Sequence, residues 1–86
     1  MQIELTDDAK EHLLFWRKIG DKAILQKIDK LTDAILENPF NGIGKPEALK
    51  YELAGKWSRR ITKEHRYVYN IIDDVLFIYS LKGHYL

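Results

Sequence analysis

Arg59, Arg60 and Arg66 lie in "WSRRITKEHRYVY", a stretch whose apolar and aromatic residues read as strand and not as a loose tail. Glu47 stands ahead of them in "GKPEALK". Alternate residues of a strand share a face. Trp57, Arg59 and Ile61 therefore take one face, and Ser58, Arg60 and Thr62 the other. On the next run, Arg66, Val68, Asn70 and Ile72 oppose His65, Tyr67, Tyr69 and Ile71. Arg60 and Arg66 can thus lie on adjacent strands. On a shared face, two guanidinium groups are costly unless an anion lies between them. The carboxylate of Glu47 or Glu64 would serve, and so would a bound phosphate. His84, near the chain end, is the one residue type whose ordinary pKa suits proton transfer near neutrality. "GHYL" either frays there or is positioned by the strand before it.

The balance of the chain limits what else such residues can do. Eighty-six residues, 45% apolar and 31% charged, make one domain spanning 1–86, burying roughly 60% of its unfolded surface. The net charge of +1 is unevenly spread. Lys45 to Arg66 holds seven bases against three acids, a local +4, and the remainder holds seven bases and ten acids, or −3. Such a basic block is either a solvated surface or the footprint of an anionic partner. The absence of cysteine excludes a disulfide scaffold and a thiolate nucleophile. His12, His65 and His84 show no metal-ligand spacing, so no metal and no cofactor is expected. "NGIGKP" lacks the preceding strand and following helix of a phosphate loop. No secretory signal pattern and no apolar run near the ~20 residues of a membrane span is visible, so a soluble, cytoplasmic protein without a membrane partner is expected.

The elements that must hold these residues follow from period and punctuation. "QIEL" predicts a short strand. Thr6 is a good helix N-cap, with Asp7 and Asp8 in the first turn, Ala9, Leu13 and Trp16 at helical spacing, and Gly20 as the stop. Asp21 caps a second helix whose Ile24, Ile28, Leu31 and Ile35 form one stripe, ended at Asn38 by Pro39. "NPFNGIGKPE" is a loop, and "EALK" a single helical turn. Tyr51–Leu53, Lys56–Thr62, His65–Ile72 and Val75–Leu81 read as four strands, with a tight turn at Asp73 and Asp74. The order β-α-α-β-β-β-β predicts an α+β fold. Its N-terminal strand and helical hairpin would pack on an antiparallel β-meander.

Taken together, "NPFNGIGKPEALKYELAGKWSRRITKEHRYVY" and the later "HY" resemble the Txe/YoeB family of bacterial toxins, in the RelE/ParE superfamily, over essentially the whole chain. The resemblance implies a RelE-like, microbial-ribonuclease-like fold. It also implies ribosome-dependent endonucleolytic cleavage of mRNA in the A site, neutralised by an acidic antitoxin of the YefM/Phd type. Homodimers are frequent in the family. Carried onto this sequence, it makes Glu47 the general base, His84 the general acid and Arg66 the stabiliser of the transition state. Lys50, Arg60 and Tyr85 become substrate ligands, and Arg59 and His65 of the same block are counted with them. Gly83 and Leu86 depart from the family pattern around the histidine. The chemistry is coherent for RNA, which carries its own 2′-hydroxyl nucleophile and needs a base, an acid and cations around the phosphorane. The alternative is a non-catalytic toxin of the ParE type that binds a protein target such as gyrase.

Overall fold

The computed structural model describes residues 1–84. Strand β1 (Gln2–Leu5) leads into helix α1 (Asp7–Ile19), then helix α2 (Lys22–Glu37). Strands β2 (Glu47–Ala48), β3 (Trp57–Arg60), β4 (Arg66–Ile72) and β5 (Val75–Ser80) follow. A 3-10 turn at Tyr51–Leu53 separates β2 from β3. The five strands form one sheet in the order β1-β5-β4-β3-β2. β2 to β5 are an antiparallel meander, as predicted. β1 adds to it parallel to β5, Gln2 opposite Val75 and Leu5 opposite Ile78, so the sheet is mixed.

The helical hairpin is closed by adjoining caps. Thr6 Oγ1 accepts from the Ala9 amide at 3.2 Å. Gly20 takes φ 68°, and the Gly20 and Asp21 amides donate to the carbonyls of Arg17 and Trp16, which satisfies groups the helix end leaves open. Asp21 then caps α2 through Oδ1, accepting from the Ile24 amide at 3.1 Å. So short a link forces the helices antiparallel. Their apolar stripes (Ala9 and Trp16; Ile24, Ile28, Leu31 and Ile35) pack on one sheet face with Ile61, Tyr67, Tyr69, Leu76, Ile78 and Leu81.

Two local expectations are corrected. Glu47–Ala48, read as part of a helical turn, is a strand, paired Glu47 to Ser58 and Ala48 to Trp57. Lys45 turns the chain at φ 51°, and after Pro46 it runs extended along the edge of β3. Tyr51–Leu53, read as a strand, is the 3-10 turn. Tyr51 enters it at φ 57° and the Ala54 amide closes it on the Tyr51 carbonyl. The turn reverses the chain within a few residues and so gives β2 and β3 their antiparallel pairing. The Asp73–Asp74 turn is as predicted: both residues have positive φ, 49° and 63°, between the paired Ile72 and Val75. That is the twist a two-residue hairpin requires.

Candidate active site

The sheet decides which arginines can meet a ligand. The core side takes Tyr67 and Tyr69 of β4, and their register partners Arg59 and Trp57 turn the same way. Arg59 is therefore 0% exposed. Its Nε donates to the Tyr69 hydroxyl at 3.2 Å, Nη1 to the Ile43 carbonyl at 3.2 Å, and Nη2 to the Asn38 and Asn41 carbonyls at 2.6 and 3.0 Å. Tyr69 in turn donates to the Pro39 carbonyl. The expectation that Arg59 binds substrate is thus corrected. A guanidinium with no solvent access, aimed at four oxygens, holds the 38–46 loop to the sheet. A buried charge is tolerable when its donors are filled in this way.

Two glycines let the loop wrap so closely. A Cβ on Gly42 would stand 3.1 Å from Arg59 Nη1, and one on Gly44 2.8 Å from Leu31 Cδ2. Gly44 also has φ 84°. From there its carbonyl accepts from the Arg60 amide at 2.7 Å, and three residues later Glu47 begins β2.

The opposite, open face of the sheet carries the charged set. Arg60 and Arg66 are direct cross-strand partners. Like charges directly opposite are unfavourable on a sheet. Arg60 stays exposed, whereas Arg66 is 8% exposed and tied back. Arg66 Nη1 donates to the carbonyls of Thr62, Lys63 and His65 at 2.9, 3.0 and 3.4 Å. Backbone carbonyls of its own hairpin, and not a carboxylate, receive Nη1. With one terminal nitrogen anchored, the plane of the guanidinium is fixed, and a preset fork suits a phosphate.

His84 is brought beside this pair by the segment after β5. The Arg66 amide donates to the Gly83 carbonyl at 3.0 Å, so residue 83 runs along the start of β4. Gly83 itself has φ 81°, and a Cβ added there would meet nothing within 4 Å, so its conformation and not its space calls for glycine. His65, expected to bind substrate, is used within the fold. Its Nδ1 accepts from the Gly83 amide at 2.8 Å, and its ring stands edge-on to Trp16 with centroids 4.8 Å apart.

Glu47 is exposed and opposite Ser58, which is opposite Val68. It therefore shares the open face with Arg60 and Arg66. Strand spacing and rise put the Glu47 Cα roughly 12 Å from that of Arg66, a span that a Glu and an Arg side chain reach across with a phosphate between them. Lys50 is exposed just beyond β2, at the start of the 3-10 turn. Tyr85 lies outside the described residues. A groove of about 310 Å³ adjoins the set, lined by Lys56, Val68, Tyr79, Lys82, Gly83 and His84. Lys56 Nζ sits 4.3 Å above the Tyr79 ring, and Tyr79 donates to Asn70 Oδ1 at 2.9 Å. The two lysines of this groove were not singled out from sequence. The signal for Lys56 was its strand parity with Ser58 and Arg60, and for Lys82 its place in "KGH". Among the described residues no group of three or more His, Asp or Glu side chains is placed to hold a metal ion. No helix among them is long and apolar enough to cross a membrane.

The hairpin of helices on one face, and charge on the other face of a five-stranded sheet, define an α+β toxin fold of the RelE/ParE type. The family model of the "YoeB-like toxin of bacterial type II toxin-antitoxin system" matches residues 5–85, and the chain belongs to that family. The toxin YoeB of Synechocystis sp. is 51% identical over 85 residues, covering 99% of this chain and 98% of that protein. The toxin YoeB of Escherichia coli K12 is 44% identical, covering 99% and 100%. Among solved structures, the YoeB/ParE toxin from Agrobacterium tumefaciens superposes with a TM-score of 0.95 at 38% identity, covering 99% and 100%. A YoeB–YefM heterotetramer from Staphylococcus aureus gives 0.90 at 41%, covering 99% and 98%.

Proposed function

We propose that this toxin cleaves messenger RNA on the ribosome by acid–base chemistry at the open face of its sheet. One observation carries the reading. Arg60 and Arg66 are paired across the sheet, and the Arg66 amide holds the residue before His84. Two cations thus share a face with Glu47, and the backbone next to His84 runs along the start of β4. Glu47 takes the proton of the 2′-hydroxyl, whose oxygen attacks the adjacent phosphorus. Arg66 and Arg60 stabilise the doubly charged phosphorane. His84 gives a proton to the departing 5′-oxygen as the P–O5′ bond breaks. The products are a 2′,3′-cyclic phosphate and a 5′-hydroxyl, and atoms and charge balance without an added reagent. Glu47 is exposed in the free protein and open to an incoming 2′-hydroxyl. Lys50, Tyr85 and the lysines of the groove contact the message, and the ribosome orients it.

The same face needs masking. An acidic segment of a YefM-type antitoxin that folds on contact would cover Arg60 and Arg66 or displace His84. Self-association as a dimer is expected alongside it.

The test compares Glu47→Ala, Arg66→Ala and His84→Ala with the parent, by toxicity and by primer extension on ribosome-bound message. Each substitution of the base or acid is expected to lower the cleavage rate by about 10²–10⁴-fold. Undiminished toxicity and cleavage in all three would remove the assigned roles. DNA-damage signalling without fresh 5′ ends would point instead to a protein target such as gyrase.

A further inference from the structure

We propose that His12 and His65 are positioning residues for His84, two neutral imidazoles that grip the 81–83 segment through Nδ1 and release it when protonated. The Leu81 amide donates to His12 Nδ1 at 3.1 Å and the Gly83 amide to His65 Nδ1 at 2.8 Å. A backbone N–H can only donate. Each ring nitrogen must then offer a lone pair, so each ring is neutral and carries its proton on Nε2. The carbonyls of the same two residues are taken as well. Trp16 Nε1 donates to Leu81 at 2.9 Å, and the Arg66 amide to Gly83 at 3.0 Å. The segment is thus held between two jaws, each supplying one imidazole acceptor and one N–H donor. His12 and Trp16 belong to α1, four residues apart on one helix face. His65 and Arg66 belong to the entry of β4. The two jaws also touch each other, since His65 stands edge-on to Trp16.

Protonating either ring turns its acceptor into a donor, and N–H then meets N–H. His12 faces Asp8 and Glu11 on its own helix, Lys82 on the segment and the Ser80 hydroxyl at 3.5 Å. Burial and Lys82 disfavour its charge, the two acids favour it, and burial dominates. His65 faces the Trp16 ring from α1, with Glu64 and Arg66 beside it in the chain and Lys82 and His84 flanking the amide it holds. Protonation of either ring therefore unlocks the segment that precedes the proposed general acid. Only the activity arm below rests on the proposed ribonuclease reading.

Purified protein labelled with ¹⁵N tests the device. Long-range ring spectra are expected to show both neutral rings as the Nε2–H form. The protection factors of the Leu81 and Gly83 amides, corrected for the fall of intrinsic exchange with pH, are expected to drop by at least about tenfold as the ring each one bonds protonates, tenfold matching one lost hydrogen bond of about 1.4 kcal/mol. His12→Asn and His65→Asn place an oxygen acceptor near the Nδ1 position. Together they should keep both amides protected and abolish the pH dependence, whereas the Leu substitutions should lose protection. Nδ1–H rings, or protection unchanged across the titration, overturn the proposal even if the Leu variants do not fold. In the activity arm, the Leu variants should lower kcat with KM little changed, and the Asn variants should restore it. A segment that behaves as described in a protein that cleaves no RNA leaves the positioning intact and sinks the ribonuclease reading. Full cleavage with the segment released sinks the positioning instead.

Discussion

Two adjacent arginines in "RR" have opposite fates, because one residue of strand changes the face. Arg59 is enclosed by carbonyls and Arg60 is exposed. Arg59→Ala would leave three loop carbonyls and a tyrosine hydroxyl without their donor, and is expected to cost about 3–5 kcal/mol, the range for breaking a buried charged network. Urea unfolding measures it directly, through a lower midpoint at unchanged slope. Arg60→Ala should move stability by no more than about 0.5 kcal/mol. It should weaken single-stranded RNA binding instead, reducing the salt slope by about 0.7 if one phosphate contact is lost. Gly44→Ala combines a left-handed backbone with a 2.8 Å approach to Leu31, and should destabilise by about 1–3 kcal/mol in the same assay. The sequence showed that a charge sat at each arginine. It could not show which face was inside, since "WSRRIT" and "HRYVYNII" are apolar on both sides. Tyr67, Tyr69 and the helices settle that, and the helices are distant in sequence.

The elements were more legible where chemistry is local. The caps Thr6, Gly20 and Asp21, the α2 stripe, and the Asp73–Asp74 turn all follow from neighbouring residues, and all stand as expected. The errors fall at β2 and the 3-10 turn, whose conformations depend on pairing with β3. A strand of two residues has no period to read. Of the candidate site, the Arg60–Arg66 pairing was legible as a possibility, and the placement of Glu47 and His84 came from resemblance. The two histidines that hold the 81–83 segment were hidden, because their partners are backbone amides more than fifteen residues away. The turn permits a test at this scale. Asp73→Asn with Asp74→Gly keeps the positive φ values at lower steric cost, and should raise the melting temperature.

For the molecule as a whole, protonation couples folding to pH at both ends of the range. Burial lowers the pKa of His12 below its ordinary 6.5. The unfolded chain then binds more protons between that lowered value and 6.5, so stability rises with pH across the window. The His12 contribution is complete above pH 6.5 and is lost as pH falls through the folded-state pKa. At the alkaline end, burial raises Tyr67 and Tyr69 above the ordinary 10.0, outweighing the pull of Thr32 and Arg59. Their contribution is complete below pH 10 and declines as pH rises beyond it. Unfolding free energy measured against pH should therefore fall off on both flanks, and His12→Asn should flatten the acid one. The parallel pairing of β1 with β5 has its own consequence. It joins Gln2 to Val75, 73 residues apart, across the span of the chain. Contacts of such separation form late and slowly. A nascent chain therefore carries its first strand unpaired until nearly all of the sequence has been synthesised. A product terminated before Val75 would lack both the partner of β1 and the segment bearing His84, leaving the first strand with an open edge.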